Sequence, residues 1–449
     1  MNDYRNLAAD LVAALKKQGA DACDVYIVTT ARFSTQIRLG AIEKLQQSTS
    51  KGLGLRVIKN GAAALTFTTD FSDRATKDLV RETLEIVKVS NADKYNGLAP
   101  KEFLGAYDGK LMMFDETLAA MVPEKKIAFA REAEEIAMKC DKRITNSNSS
   151  SWSDSRSQVT MANSDGFVGQ YKTTGISNTI GMVAEQNGVK QTDYWYTFNR
   201  FLKGLDTPKS LGETAAQRTV NKLGGRKVKS QAVPIVLHPE VSSGLVSTVF
   251  FAAGGDSIYR KSSFLVDKAG QEIASPLLTI IDDATMADGP GSRPFDAEGV
   301  KSSQVTVVEK GVLKQYICDS YSARRLNLKP SGNAARSYQG MPGVGMSNLF
   351  MKPGAHDPKA IIKSVKNGLY VTRMNSQGLN FVTGSFSDGA SGFWIENGEI
   401  TYPVQEITIA GNVLKVLKDI QMIGNDLSFK QGSVAAPTLL IGEATIGGE

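Results

Sequence analysis

The sequence predicts an α+β protein in two parts: an N-terminal mixed α/β domain with antiparallel meanders, then a C-terminal, mainly antiparallel β domain with a few helices. Three observations carry this reading. Long runs at 23–70 and 144–201 alternate apolar and polar residues and are punctuated by Asn-Gly and Asp-Gly turn signals. Segments with helical periodicity flank both runs. Beyond Gly225 the texture changes, and short strands dominate. The boundaries that follow are 1–225, with subregions of about 1–95 and 120–225, and 226–449.

The first element is an amphipathic helix with Tyr4, Leu7, Leu11 and Leu15 on one face and Gly19 as its stop. The meander after it turns at Asn60-Gly61. "SDRATKDLVRETLEIVKVS" reads as a helix with Ala75, Leu79, Thr83 and Ile86 along one stripe. "PEKKIAFAREAEEIAMKC" is a helix opened by Pro123, whose missing N–H costs nothing in a first turn. "SLGETAAQRTVNKLGG" is another, with Ser210 and Glu213 as its capping box. In the second half "AVPIVLH", "SPLLTIIDD", "SSQVTVVEKGVLKQYICDS", "GFWIENGEITYPVQEITIAGN" and "PTLLIGEATIGG" read as strands. "PEVSSGLVSTVFFAAGG", "HDPKAIIKSVKNG" and "VLKVLKDIQMIG" read as helices, the first with Val241, Leu245 and Val249 as its stripe and Gly254 as its C-cap.

Composition narrows the function. The 449 residues are 41% hydrophobic and 22% charged, ordinary for a globular protein. The net charge of +6 is spread thinly, without the basic stripe and interleaved aromatics of a nucleic-acid groove. No apolar run reaches the roughly 20 residues that span a bilayer. Cys23, Cys140 and Cys318 are odd in number and far apart, as in a reducing compartment, and the charged N-terminus lacks a signal peptide's apolar core. A cytoplasmic location, no direct nucleic-acid partner and no membrane contact are expected.

One stretch looks like chemistry. "VLHPEVSSGL", from Val236, runs from a strand through His238, Pro239 and Glu240 into a helix. In HExxH zinc helices two histidines lie four apart with a glutamate as general base, and a third ligand completes the site. Here the helix has one histidine. The chain's other, His356, reads as flanking or capping the helix start at Asp357. Other candidates take structural readings. "GLGLRV" at Gly52 lacks the third glycine of a dinucleotide loop and sits inside a meander. "DGPGSRPFDAEG" gathers Asp288, Asp296 and Glu298 without the ligand alternation of a calcium loop. Cys318 is a buried thiol, and Ser242 and Ser243 have no evident base.

Longer motifs carry a resemblance. Ile258–Phe264 "IYRKSSF", Arg293–Gly299 "RPFDAEG", "DSYSARRLNLKPSGNA" from Asp319, "TGSFSDGASGFWIENGEITYPVQEITIAGN" from Thr383 and "MIGNDL" from Met422 resemble the TldD/PmbA family. "KGLGLRVIKNGAAALTFTTD" from Lys51 extends the likeness to the N-terminus. The family is often labelled a modulator of DNA gyrase.

The resemblance implies two subunit types, a TldD type with HExxxH and a later cysteine as zinc ligands, and a TldE/PmbA type without them. Here His238 stands at the first histidine, Pro239 at the glutamate and Ser243 at the second histidine. "DLSFKQGSVAAPTLL" from Asp426 contains no cysteine. The implied protein is a TldE/PmbA-type subunit of a cytosolic metallopeptidase complex. It has no catalytic, cofactor-binding or metal-ligating residues of its own, and zinc is expected only in a TldD-type partner. Its implied roles are assembly and the binding of peptides or unfolded proteins, in peptide maturation, antitoxin degradation and indirect modulation of gyrase. A homodimer paired through exposed strand edges of the C-terminal half is expected for the isolated chain. The alternative is a stand-alone peptidase with an unrecognised active site.

Overall fold

In a computed structural model, which describes residues 2–375 and 377–448, the first half contains α1 (Arg5–Lys17), β1 (Ala22–Arg38), β2 (Ala41–Lys59), β3 (Ala62–Thr68), α2 (Asp73–Val89), α3 (Glu116–Ala120), α4 (Pro123–Cys140), β4 (Ile144–Asn163), β5 (Val168–Gln186), β6 (Val189–Asn199) and α5 (Pro208–Asn221). The six strands form one antiparallel sheet in the order β3-β2-β1-β4-β5-β6. Its tight turns use Asn60-Gly61 and Asn187-Gly188, all at positive φ, as two-residue hairpins require. Alternation decides what lies on each face. On β1, Val25 and Ile27 pack with α1 and α2, while Phe33 and Ile37 pack under α4. Tyr26, on the opposite face, packs with Phe295 and Ala334 of the second half.

The second half contains β7 (Gln231–Leu237), α6 (Pro239–Ala252), α7 (Gly255–Tyr259), β8 (Ile280–Asp283), β9 (Gln304–Glu309), β10 (Val312–Leu313), α8 (Ser320–Leu326), β11 (Ala334–Ala335), β12 (Gly343–Val344), β13 (Leu349–Met351), α9 (Pro358–Ser364), β14 (Asn367–Met374), β15 (Ser385–Glu396), β16 (Glu399–Asn412), α10 (Val413–Lys418), β17 (Ile420–Ile423), β18 (Val434–Ala435) and β19 (Leu439–Gly447). One sheet has the order β16-β15-β14-β7-β19-β17, a second β10-β9-β8-β13-β18, and β11 pairs with β12. Only β14–β7 and β13–β18 are parallel among the named strand pairs. The main core holds Val246, Val249 and Phe250 of α6 among side chains from both larger sheets. The α+β class read from the sequence is the observed one.

Local details depart from the sequence reading. α5 begins three residues earlier than its capping box implied: Thr207 is the N-cap, accepting from the Ser210 amide at 3.1 Å, with Pro208 at the first helical position. The α2 stripe is rotated, so Val80, Leu84 and Val87 are buried with Leu79 and Thr83, and Ile86 is 44% exposed. Gly254 has φ −64° and opens α7; Ala253 is the C-cap of α6. α7 and α8 fall below the length at which periodicity is readable. Open strand edges in the second half are fewer than expected, because β16 also pairs with β19 and the sheet curls back on itself. The long unpaired edge is in the first half, where β3 covers only residues 53–59 of β2 and residues 41–51 are exposed.

Buried charges join the halves. Asp24 accepts from Arg56 Nε at 2.7 Å and lies 2.8 Å from Arg336, whose guanidinium stacks over Tyr26. Asp296, in "RPFDAEG", accepts from the amides of Glu298, Val300 and Ala334, and burial, then the neighbouring Glu298, pushes its carboxyl up to about 7. Glu298 accepts from the Ser320 amide at 2.7 Å, and Arg324 donates to the carbonyls of Tyr95, Gly97 and Leu98. The loop holding Asp296 and Glu298 is thus a structural clasp. The Gly52–Gly54 pair has a different job from a phosphate cradle: it makes room on β2 for Tyr338, since a Cβ on Gly54 would lie 2.1 Å from the Tyr338 carbonyl oxygen.

Candidate functional site

β7 ends at Leu237, and Pro239 occupies the first position of α6. Proline fixes the φ that a helix start needs, and its missing N–H has no partner to lose there. His238 between them is the N-cap, with extended backbone (φ −63°, ψ 149°). Its Nδ1 accepts from the Glu240 amide at 3.2 Å, the bond that serine or aspartate makes in most caps. Acceptance at Nδ1 places the ring proton on Nε2. The ring is mostly buried and meets Tyr370 edge-on at 6.0 Å. Burial first, then the Arg218 charge, holds its pKa down to about 4, so the imidazole is neutral near pH 7.

The neighbouring side chains are also engaged. Glu240 accepts from Arg218 of α5 at 3.0 Å. Ser243 donates back to the Pro239 carbonyl at 2.8 Å, and Ser242 to the His238 carbonyl at 3.3 Å. His356 pairs with Gly424 in an isolated bridge, and Asp357 caps α9. Cys318 is buried, its thiol pushed up to about 12 by desolvation. Among the described residues, no group of three or more His, Cys, Asp or Glu is placed to hold a metal ion. This donor set does not fit a catalytic zinc: the one imidazole carries its proton where a metal would bind, and Ser243 offers only a hydroxyl already in use.

Beside α6 lies a cavity of about 730 Å³ between the two halves. Its helix wall is Glu240, Val241, Gly244, Leu245, Ser247, Thr248 and Phe251, so two residues of the apolar stripe, Val241 and Leu245, pack against the main core and also border the cavity. The core side of α6 is Ser242, Val246, Val249 and Phe250. Neither His238 nor Ser243 is among the lining residues. Opposite stand Phe381, Phe386 and Val416, and α5 and β6 contribute Arg218, Lys222 and Asp193. Lys222 reaches Asp193 at 3.1 Å, and Arg218 approaches the same carboxylate at 3.5 Å while stacking on Trp195. An apolar hollow with a few convergent charges is the shape and chemistry that ligand pockets share.

One strand edge opens into it. β7 pairs with β14 as far as Leu237–Val371, and the His238 amide closes that ladder on the Val371 carbonyl at 3.0 Å. β14 then runs on through Thr372, Arg373 and Met374, all lining the cavity, after β7 has turned into α6. Sequence reasoning found β7 and α6 but missed β14, as well as Arg218, Lys222, Asp193 and Arg373. In the sequence these are solvent-type residues at ordinary positions, and only the docking of α5 and β6 on α6 brings them together.

Comparison with known proteins agrees along the chain. Residues 23–87 match the model of the PmbA/TldA metallopeptidase domain 1, residues 116–223 the central domain and residues 230–448 the C-terminal domain. The chain is 34% identical over 426 residues to the metalloprotease PmbA of Escherichia coli O157:H7, covering 94% of this chain and 92% of that protein. The crystal structure of a proposed modulator of DNA gyrase from Bacteroides thetaiotaomicron superposes with a TM-score of 0.92 at 28% identity, covering 100% of both chains. TldE from Thermococcus kodakarensis shares the fold, with a TM-score of 0.89 at 20% identity over 98% of this chain and 99% of that one.

Proposed function

The chain belongs to the PmbA/TldD metallopeptidase family, and from that premise we propose that it is the TldE/PmbA-type subunit of a two-subunit cytoplasmic peptidase, binding peptide while a TldD-type partner supplies the zinc and the cleavage. The observation that carries this reading is the state of the α6 start. His238 caps the helix with its Nδ1 lone pair, Glu240 is held by Arg218, and Ser243 stands where a second imidazole would be needed. In this chain those residues position the helix that walls the cavity. The free edge of β14 supports the peptide-binding part, because an extended chain laid there gains main-chain hydrogen bonds without regard to its sequence. Among the described residues, no helix is long and apolar enough to cross a membrane.

The test is reconstitution. The purified chain, a TldD-type subunit and their mixture are assayed on an unfolded peptide, with and without chelator. The expected result is chelator-sensitive cleavage that needs the TldD-type subunit and rises when this chain is added. Chelator-sensitive cleavage by this chain alone would establish the stand-alone peptidase instead.

A further inference from the structure

Three cations, Arg218, Lys222 and Arg373, and three carboxylates, Asp193, Glu240 and Asp388, line the cavity, and among the described residues Arg373 is the cation of these three that no carboxylate pairs with. Arg218 and Lys222 share Asp193, and Arg218 also holds Glu240. Asp388 accepts from the amides of Gln377 and Gly378 at 2.8 and 2.7 Å. The side chain of Arg373, exposed on the free edge of β14, makes no hydrogen bond or ion pair with any described residue. It also lines an adjoining hollow of about 210 Å³, together with Lys222 and Thr372. Burial, with smaller contributions from the charges of Arg373 and Arg218 and against the pull of Asp193, holds Lys222 below the usual lysine range. The same cavity has an apolar part, where Phe251, 42% exposed, lines it together with Leu379, Phe381 and Phe386.

We propose that this cavity binds the C-terminal end of a peptide, with the terminal carboxylate on the Arg373 guanidinium and an apolar last side chain against Phe251, Phe381 and Phe386. This rests on the peptide-binding role proposed above and names its ligand. A guanidinium matches a carboxylate with two parallel N–H donors, which a lysine cannot do. Arg373 is on the strand whose edge is free, so a chain anchored by its last carboxylate can pair its preceding residues along Thr372–Met374. The volume suits a few residues rather than a long segment.

Calorimetry on the full chain tests this with N-acetyl-alanyl-alanyl-phenylalanine as the free acid and as the C-terminal amide. The acid is expected to bind about tenfold or more tighter, the effect of a charge-assisted pair. Arg373→Gln, an exposed substitution, is expected to erase that preference and leave the amide's affinity as it was. Equal affinities in the parent, or a preference that survives Arg373→Gln, would overturn the carboxylate site while leaving peptide binding intact. Binding of neither form would overturn the peptide-binding role itself. Decanoate, which has the charge and an apolar tail without peptide bonds, is expected to bind more weakly than the acid; tighter binding would assign the cavity to a fatty acid and overturn the proposal.

Discussion

Arg218 and Glu240 meet at 3.0 Å, one on the last helix of the first half and the other in the first turn of α6. The pair is mostly buried, with side-chain exposures of 21% and 20%, and Asp193 beside it is more buried still. The carboxylate one position past the point where a zinc peptidase keeps its general base is therefore held by a cation, and that cation links α5 of the first half to α6 of the second.

Replacing Arg218 by Met leaves Glu240 without that partner and Asp193 with Lys222 alone. Removing one member of a partly buried pair costs more than an exposed pair is worth, and a loss of about 1–3 kcal/mol in unfolding free energy is expected. Urea denaturation measures it. A loss below about 0.5 kcal/mol would put the pair in the class of surface ion pairs.

His238 fixes a pH dependence. Its pKa in the fold is about 4, below the unfolded value of about 6.5. Between those values the unfolded chain binds the proton more readily, so this contribution to stability is complete above about pH 6.5 and is lost as pH falls towards 4. His238→Asn keeps an N-cap acceptor and removes the titration. The stability difference between parent and variant is expected to change across that window by at most about 3 kcal/mol. The difference is the quantity to follow, because the raised carboxyl of Asp296 acts in the opposite sense over the same range.

Elemental analysis of the isolated chain is expected to find no stoichiometric zinc. Pro239→Glu combined with Ser243→His is expected to add weak zinc affinity and no peptidase activity, since His238 must first give up its Nδ1 bond and a third ligand is still missing. One tightly held zinc per parent chain, lost in His238→Ala, would contradict this.

A thiol reagent is expected to modify Cys140 in the native protein and to reach Cys23 and Cys318 only after unfolding. Cys140 is exposed; the other two are buried, with thiols pushed up to about 12 mainly by desolvation. Counting modified thiols with and without denaturant decides it.

Gly54→Ala is expected to destabilise by about 2 kcal/mol or more, because its Cβ meets backbone, the Tyr338 carbonyl oxygen. At Gly52 the obstacle is the Tyr338 ring, which can turn, so Gly52→Ala is expected to cost less. Thermal unfolding of both variants measures the order.

Periodicity made the long elements legible. β4 and β5 alternate over much of their twenty and nineteen residues and β1 over its second half, and α4 announces itself with Pro123 at its start. Pieces such as α7 and β13 are too short for a repeat to register. The α6 stripe of Val241, Leu245 and Val249 packs on the core, but a helix between a core and a cavity is apolar on two sides, and the sequence did not show that Val241 and Leu245 also border a cavity. His238 was legible as a histidine at a strand-to-helix turn, and Pro239 beside it located the helix start. The cavity was not legible. It exists only where α5, β6, α6 and β14 converge, and the sequence places those elements far apart.

The clasp on Asp24 sets a timetable for synthesis. Asp24 and Arg56 leave the ribosome early, whereas Arg336 and Tyr338, which complete the same face of β1 and β2, follow about three hundred residues later. At bacterial-scale elongation of about 5–20 residues per second, that delay is roughly 15–60 seconds. For that interval the nascent sheet carries a carboxylate with half its counter-charge and an empty groove above Gly52 and Gly54. Whatever the first half forms in that interval, its final packing around Asp24 and above Gly52 and Gly54 requires residues made near the end of the chain.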